Sequence, residues 1–274
     1  MTNKRLCILG AGNMGRALIG GLLRSGTRAE HVSVGENQPA ARAALARELG
    51  ITATADNRAA VAGASIVVLA VKPQEAAAVL KPLAPTLAVE KPLLLSVLAG
   101  VRLAELEAWC GPGVPVMRAM PNRAALIGAG ATGLFAPSSV GREQRAAAEQ
   151  VLKAVGEVVW VSGEAGLDVV TALSGSGPAY FFLLAELMAE AGAELGLEAA
   201  TARRLAAATL YGSGLLVQAG QADLTRLRDE VTSKGGTTEA ALAAFQNANL
   251  RATVREALTA AVQRSRQLAA SATT

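Results

Sequence analysis

Histidine and cysteine are nearly absent from this chain. Its 274 residues include one histidine, His31, and two cysteines, Cys7 and Cys110. A single histidine excludes a multi-histidine metal centre, and the two cysteines lack the spacing of a zinc site. We therefore expect no metal, and catalysis has to use other groups. Cys7 lies in an apolar run typical of a buried strand, and so few cysteines fit a reducing compartment.

Long hydrophobic runs and blocks of one charge are also missing. The first apolar run is too short for the core of a signal peptide, and no uncharged stretch is expected to span a membrane. Lysine and arginine number 26 against 22 acidic residues, a net charge of +4 spread along the chain. The pI near 9.4 is therefore no sign of nucleic-acid binding. We expect a cytoplasmic protein without nucleic-acid or membrane partners.

The composition is that of a globular protein, with 51% hydrophobic, 18% charged and 3% aromatic residues. This excludes a disordered or collagen-like chain, and the length favours two domains. Short runs rich in Val, Ile and Leu alternate with helical stretches up to residue 162. The runs are 6–9, 32–34, 66–71, 93–97, 114–117 and 158–161. This alternation predicts an α/β domain over 1–162, with a doubly wound, mostly parallel sheet.

Residues 163–274 read as helices separated by Gly, Ser and Thr, which predicts an all-helical second domain. Pro178 is expected to open a long helix that ends at Gly196. This helix is apolar almost all round, so it has to be buried from several sides. A small helical domain does this most easily against a second copy of itself, and we expect at least a dimer.

A glycine-rich turn follows the first strand. Gly10, Gly12 and Gly15 form a G-x-G-x-x-G pattern that leads directly into a helix. In such a turn the glycines allow a tight bend, close approach of a pyrophosphate and helix–strand contact, and the helix N-terminus receives the phosphates. The pattern in this strand–turn–helix context indicates dinucleotide binding; a purely structural glycine turn is the alternative.

The end of the second strand leaves the choice between NAD and NADP open. Glu36 stands where an acidic residue accepts the ribose 2′-hydroxyl of NAD. Asn37 and Arg42 lie close by in sequence and are available to a 2′-phosphate if Glu36 turns to solvent. Two further polar residues, Lys72 and Asn122, follow later strands at the same predicted edge. Lys72 is equally explained as a surface charge, and Asn122 as a turn former or as a ligand to a carboxamide or substrate group.

Two segments of the second half, 174–180 and 231–238, are rich in Gly, Ser and Thr and precede helices. Their free N–H groups are suited to receiving an anion without a cationic side chain. The alternative is ordinary helix capping by Thr237 or Thr238.

These motifs together resemble the pyrroline-5-carboxylate reductase family. The resemblance rests on the order and spacing of Gly-Ala-Gly-Asn-Met-Gly at 10–15, Ala-Val-Lys-Pro at 70–73, Met-Pro-Asn at 120–122, Ser-Gly-Ser-Gly-Pro-Ala-Tyr at 174–180 and Val-Thr-Ser-Lys-Gly-Gly-Thr-Thr at 231–238. It covers essentially the whole chain. It implies a Rossmann domain, a helical domain that forms an interlocked homodimer, in some members assembled into decamers, and reduction of a cyclic imine to L-proline by NADPH or NADH.

The resemblance also implies the site residues. Contacts to the dinucleotide are implied for Leu9, Gly10, Ala11, Gly12, Asn13, Met14, Asn37, Asn57, Ala70, Val71, Lys72 and Pro73. Contacts to the substrate are implied for Val231, Ser233, Gly235, Gly236, Thr237 and Thr238, in a loop that reaches the nicotinamide of the neighbouring subunit. We expect the substrate carboxylate on the N–H groups of 235–238, and the catalytic candidate is the Thr238 hydroxyl, bonded to the ring nitrogen.

The chain departs from the family pattern at two places. Arg123-Ala124 follows Asn122 where the family commonly has Thr-Pro, which puts the substrate range in doubt. Glu36 stands where members that use NADP more often carry a small or hydroxyl residue. Two alternatives remain: a β-hydroxyacid dehydrogenase, for which only Lys234 is a candidate catalytic lysine, and a non-catalytic dinucleotide sensor.

Overall fold

A computed structural model describes residues 5–219 and 223–271. The chain divides into two compact units. The first consists of Met1–Ser176 together with Ala261–Thr274, and the second of Gly177–Ala260. The domain boundary that the sequence predicts after residue 162 remains a prediction. The two compact units divide after Ser176 and again after Ala260.

The first unit contains a single eight-stranded sheet among the described residues. Its strands are β1 (Leu6–Leu9), β2 (Val32–Gly35), β3 (Ala53–Thr54), β4 (Ile66–Leu69), β5 (Leu93–Ser96), β6 (Val116–Pro121), β7 (Gly130–Phe135) and β8 (Gly156–Trp160). The strand order is β3-β2-β1-β4-β5-β6-β7-β8. Pairing is parallel throughout except between β6 and β7. The mostly parallel, doubly wound sheet that the sequence predicts is confirmed.

Strand β1 is buried on both faces. Leu6 and Ile8 belong to one apolar cluster, whereas Cys7 and Leu9 belong to another on the opposite face. This division follows from the two-residue period of a strand, since successive side chains point to opposite faces. A strand that is covered on both sides has to be apolar at every position, which explains the continuous Leu-Cys-Ile-Leu run.

Helices cover both faces of this sheet. Those of the first unit are α1 (Asn13–Arg24), α2 (Pro39–Leu49), α3 (Asn57–Val61), α4 (Ala76–Leu80), α5 (Ala84–Glu90), α6 (Leu103–Cys110), α7 (Arg142–Lys153) and α8 (Gly166–Val170). A π-helical turn, Thr171–Gly175, follows α8. Helix α2 begins at Pro39 and ends before Gly50, whose φ of +65° is left-handed, so its two ends have the residue types that favour them.

Two strands are absent from the sequence prediction, and one is longer than predicted. Strand β3 has only two residues, and β7 contains Gly130 and Gly133, a residue type that is unfavourable in strands. Both glycines are needed for packing, because a Cβ on Gly133 would lie 2.6 Å from Val170 and one on Gly130 would lie 2.8 Å from the Val155 carbonyl oxygen. Strand β6 is Val116–Pro121, so it extends four residues beyond the predicted run 114–117, and Asn122 follows it directly.

The second unit is helical. It contains α9 (Gly177–Glu194), α10 (Ala199–Ala219), α11 (Leu224–Glu230), α12 (Thr237–Asn247) and the first part of α13 (Leu250–Ser271). Helix α9 ends as predicted, since Gly196 has a φ of +109° and donates its N–H to the Ala193 carbonyl. Helix α10 packs on α9 through small residues, with Ala202 Cβ 3.5 Å from the place of a Cβ on Gly192.

One helical stretch among the described residues, Gly166–Glu194, is long and apolar enough to cross a membrane by length and composition, with a mean hydropathy of 1.3. The expectation that no stretch reaches this limit is wrong on these two criteria. Only 22% of the most apolar window is buried within the chain. A single such helix is weak evidence for a membrane, because helices in cores and interfaces have the same composition.

Candidate active site

The turn between β1 and α1 leaves no room for side chains at two of its glycines. Gly10 has a φ of +95°, and a Cβ on it would lie 2.8 Å from the carbonyl oxygen of Ala70. A Cβ on Gly15 would lie 2.1 Å from the carbonyl oxygen of Gly10. Only glycine therefore allows α1 to start so close to β1 and β4.

The middle glycine of the turn faces open space. A Cβ on Gly12 would meet no atom within 4 Å, and Gly12 is the N-cap of α1. Because glycine brings no side chain to the cap, the first N–H groups of α1 are open to an external anion. No neighbouring atom of the protein requires a glycine at position 12. Its missing side chain instead fits the expected approach of a pyrophosphate.

A cleft of about 480 Å³ lies at this carboxyl edge of the sheet. Among the predicted coenzyme residues, the cleft is lined by Gly10, Ala11, Gly12, Asn13, Asn37, Asn57, Ala70, Val71 and Lys72. Leu9, Met14 and Pro73 do not line it; Leu9 is fully buried in the core and Met14 packs against the core. The cleft thus brings together most of a set that is scattered between residues 10 and 72.

The carboxylate of Glu36 is fixed inside this cleft. Its Oε2 accepts a hydrogen bond from the N–H of Ala11 at 2.8 Å, and its Oε1 accepts one from the N–H of Gln38 at 2.8 Å. Glu36 therefore does not turn to solvent, as it would have to do if Asn37 and Arg42 were to receive a 2′-phosphate in its place. Arg42 instead donates from Nη1 to the carbonyl oxygens of Glu36 and Asn37, at 2.8 and 2.9 Å.

Asn57 and Lys72 line the cleft in different ways. Asn57 opens α3 beside the end of β2, and a Cβ on Gly35 would lie 2.3 Å from its Oδ1. Gly35 therefore makes room for the Asn57 amide. Lys72 is exposed and precedes the 3-10 turn Pro73–Glu75. Its ammonium brings a positive charge to a cleft that is also lined by the carboxylates of Glu36 and Glu75.

Asn122 is a structural residue in this fold. Its amide nitrogen donates to the carbonyl oxygen of Ser174 at 3.0 Å, and its amide oxygen accepts from the N–H of Ala131 at 3.1 Å. The side chain is buried and uses both ends on the backbone. Of the two roles that the sequence leaves open, the structure therefore favours the turn-stabilising one over a ligand role.

The predicted substrate loop, 231–238, lies in the second unit. It turns at Gly235, whose φ is +72°, and leads into α12. Gly236 is the N-cap and Thr237 the first helical residue, so neither threonine caps the helix and the capping alternative is wrong. A Cβ on Gly236 would lie 2.6 Å from the Ser233 hydroxyl oxygen, which explains the second glycine.

Two of the four N–H groups expected to hold the substrate carboxylate already have partners. The N–H of Gly235 donates to Glu239 Oε2 at 2.6 Å, and that of Gly236 to the Ser233 carbonyl at 3.0 Å. Among the described residues, the N–H groups of Thr237 and Thr238 have none. The contact with Glu239 demonstrates that this turn accepts a carboxylate, and the sequence analysis did not single out that residue.

Two partly buried ion pairs connect elements of the first unit. Arg118 of β6 is 5% exposed, and its Nη1 lies 2.5 Å from Glu164 Oε1. Burial lowers the pKa of the Arg118 guanidinium, and its contact with Glu164 opposes that shift. Arg102 Nη2 lies 2.9 Å from Asp168 Oδ2, and the other oxygen of Asp168 accepts the Ser265 hydroxyl at 2.8 Å. The last turns of α13 are thereby attached to α8.

The cysteines take no part in these contacts. Both are free and buried, and burial raises the pKa of the Cys7 thiol to about 12 and that of Cys110 to about 11. A thiol with a raised pKa stays protonated at neutral pH and is a poor nucleophile. Among residues 5–219 and 223–271, no cluster of three or more His, Cys, Asp or Glu side chains is placed to hold a metal.

A strand, a glycine turn and an open helix N-terminus at the carboxyl edge of a parallel sheet define a dinucleotide-binding protein of the Rossmann type. Residues 164–268 match the family model described as pyrroline-5-carboxylate reductase dimerisation, and residues 5–100 match the one described as NADP oxidoreductase, coenzyme F420-dependent. The pyrroline-5-carboxylate reductase of Pseudomonas aeruginosa is 46% identical over 269 residues, covering 98% of each chain. The chain belongs to the pyrroline-5-carboxylate reductase family.

Solved structures agree with this assignment. A pyrroline-5-carboxylate reductase from Coxiella burnetii superposes with a TM-score of 0.94 at 38% identity, covering 97% of this chain and 99% of that one. The pyrroline carboxylate reductase of Plasmodium falciparum, solved with NADP bound, gives a TM-score of 0.82 at 27% identity, with coverage of 98% and 99%. The hydroxyacid dehydrogenase and sensor alternatives are not favoured.

Proposed function

We propose that this chain reduces L-1-pyrroline-5-carboxylate to L-proline with NADPH or NADH, the last step of proline synthesis. The observation that carries the proposal is the 46% identity to a pyrroline-5-carboxylate reductase over 98% of both chains. The glycine turn supports it, because Gly12 leaves open space beside unoccupied N–H groups at the start of α1. NADP as coenzyme is supported by the matched NADP oxidoreductase model and by the Plasmodium structure with NADP bound.

The residues around the cleft fit a dinucleotide. Gly12, Asn13 and the first turn of α1 would hold the pyrophosphate, while Glu36, Asn37 and Asn57 face the adenosine end. Ala70, Val71, Lys72 and Pro73, with Leu9, Gly10, Ala11 and Met14, complete the proposed coenzyme set. When bound, the coenzyme supplies a hydride from the nicotinamide C4 to the imine carbon. The protein's task is to hold the two rings face to face.

The substrate residues we propose are Val231, Ser233, Gly235, Gly236, Thr237 and Thr238. The N–H groups of Thr237 and Thr238 would bind the carboxylate at the positive end of α12, and those of Gly235 and Gly236 would join only on exchanging partners. The Thr238 hydroxyl would bond the ring nitrogen. An imine that arrives protonated from solvent needs no acid from the protein, unlike a ketone, whose oxygen must be given a proton.

The chain forms a homo-oligomer, and we propose a dimer through α9 as its basic unit. Most side chains of α9 are exposed in a single copy, with Phe181 at 59%, Phe182 at 60% and Leu187 at 51%. An apolar face of this size calls for a partner, and the match to the dimerisation model supports a second copy. We further propose that loop 231–238 of one copy serves the nicotinamide of the other. A cytoplasmic location fits the two free cysteines.

The test is a set of initial rates with NADPH and NADH against pyrroline-5-carboxylate, with a ketoacid as control. We expect coenzyme oxidation that depends on the imine and is absent with the ketoacid. Oxidation with the ketoacid would support a hydroxyacid dehydrogenase. Quenching of tryptophan fluorescence by NADPH without any imine-dependent turnover would instead identify a dinucleotide sensor.

A further inference from the structure

The position of the Glu36 carboxylate bears on whether this chain binds NADH or NADPH more tightly. Glu36 directly follows β2, and its backbone N–H donates to the Thr54 carbonyl at 2.9 Å, so the residue is fixed at the sheet edge. Its two carboxylate oxygens are held by the N–H groups of Ala11 and Gln38, each at 2.8 Å. One of these N–H groups belongs to the glycine turn itself. The carboxylate therefore lies beside the phosphate-binding turn, at the adenosine end of the cleft.

The carboxylate keeps free acceptor capacity in this position. Two carboxylate oxygens offer about four lone-pair sites, and the two N–H groups use two of them. The remaining sites suit the hydroxyl groups of an unmodified ribose, which donate hydrogen bonds. A 2′-phosphate carries negative charge and only acceptor oxygens at neutral pH, so it would meet the carboxylate with like charge and no donor.

The cations nearby do not replace Glu36. Arg42 uses its Nη1 on the carbonyl oxygens of Glu36 and Asn37, which ties it to the backbone that carries the carboxylate. Lys72 lines the same cleft but follows β4, and Glu75, two residues after Pro73, adds a second carboxylate to that wall. The hydrogen-bond acceptor beside the glycine turn is thus the negatively charged carboxylate of Glu36, whose backbone is fixed.

We propose that Glu36 is the residue that decides coenzyme specificity: held by Ala11 and Gln38, it accepts the ribose hydroxyls of NADH and disfavours the 2′-phosphate, so that this chain binds NADH more tightly than NADPH while using both. The proposal rests on the proposed function only in taking the glycine cleft as the coenzyme site. Its test does not require turnover.

The experiment measures the dissociation constants of NADH and NADPH by isothermal titration calorimetry, without imine, for the wild type and for Glu36→Gln, Glu36→Ser and Glu75→Gln. We expect the wild type to bind NADH at least about tenfold more tightly than NADPH, because like charges in contact are strongly disfavoured. Both Glu36 variants should move the ratio of the two constants toward NADPH by at least about tenfold. Glu75→Gln removes the same charge from the same cleft and should move it by less than about threefold.

Three results would overturn the proposal: tighter binding of NADPH by the wild type, an unchanged ratio in both Glu36 variants, or an equal shift in Glu75→Gln. Two Glu36 variants are included because Glu36→Ser removes the acceptor of the Ala11 N–H, whereas Glu36→Gln keeps a side-chain amide oxygen. Thermal unfolding identifies a variant that fails to fold. If both coenzymes bind as expected but neither is oxidised in the presence of pyrroline-5-carboxylate, the proposed function fails and the specificity proposal stands.

Discussion

Thr238 is the residue whose hydroxyl the proposed chemistry requires. It lies in the first turn of α12, and among the described residues its hydroxyl has no hydrogen-bond partner. Thr238→Ala should therefore lower kcat/KM for pyrroline-5-carboxylate by at least about tenfold, the equivalent of one bond of about 1.4 kcal/mol in the transition state. Steady-state rates provide the measurement.

The matched control for that substitution is Thr238→Ser, which keeps the hydroxyl and should retain most of the wild-type kcat/KM. Coenzyme binding by Thr238→Ala should be unchanged, since the loss belongs to the imine. Equal kcat/KM in the alanine variant and the wild type would remove Thr238 from the catalytic role.

The sequence predicts single residues well when their type alone determines their place. Gly10 and Gly15 are such cases, because the close backbone contacts at both positions allow no side chain. Asn122 is the opposite case. Its partners, Ser174 and Ala131, are distant in sequence, so nothing local to the Met-Pro-Asn motif reveals that its amide is already used.

At the level of elements, substitutions in the turn between β1 and α1 distinguish a glycine needed for folding, Gly15, from one expected to serve coenzyme binding, Gly12. Gly15→Ala places a Cβ 2.1 Å from a backbone oxygen and should lower the free energy of unfolding by about 1–3 kcal/mol or more. Gly12→Ala places it in open space, at a φ of −68°, and should lower stability by less than about 1 kcal/mol, the difference between glycine and alanine at an N-cap. Urea unfolding measures both.

Coenzyme titration completes that comparison. Gly12→Ala should weaken NADPH and NADH binding by at least about tenfold, because the added methyl group stands where the pyrophosphate approaches. A folded Gly12→Ala protein with wild-type affinity for both coenzymes would show that the cleft does not hold the pyrophosphate at this turn.

The attachment of α13 to α8 depends on one buried carboxylate. Asp168→Asn leaves Arg102 without its ion pair and weakens the bond to Ser265, so unfolding free energy should fall by about 2–3 kcal/mol. Asp229→Asn is the control, because Asp229 is 63% exposed and its pair with Arg228 should contribute less than about 1 kcal/mol. Similar losses in both variants would contradict the assigned role of Asp168.

Elements are predictable from the sequence where one period dominates. The strands of the parallel core are continuous apolar runs, and α9 has clear signals at both ends, so their existence and type follow from pattern alone. Strand β7 is not predictable in this way, because its glycines are required by contacts with Val170 and Val155, which are distant in the sequence. Long-range packing overrides the low strand propensity of glycine.

At the scale of the whole molecule, the exposed apolar face of α9 predicts the assembly. Phe181→Glu introduces a charge into that face and should shift the protein toward monomers of 27.7 kDa in multi-angle light scattering. Val89→Glu alters a side chain that is 81% exposed on α5 and should leave the mass at that of the wild-type oligomer. The same measurement separates a dimer from a decamer, and a Phe181→Glu protein of unchanged mass would exclude this face from the interface.

Helix α13 starts in the helical unit, but its last turns, from Ala261 on, belong to the α/β unit, where Ser265 meets Asp168. The α/β unit is thus discontinuous in the sequence. A polypeptide cut at either candidate boundary, after 162 or after 176, lacks the segment from Ala261 on, so on the ribosome this unit stays incomplete until Gly177–Ala260 has been made. The contact of Ser265 with Asp168 therefore joins the nucleotide-binding part only after the whole of the helical unit has been synthesised.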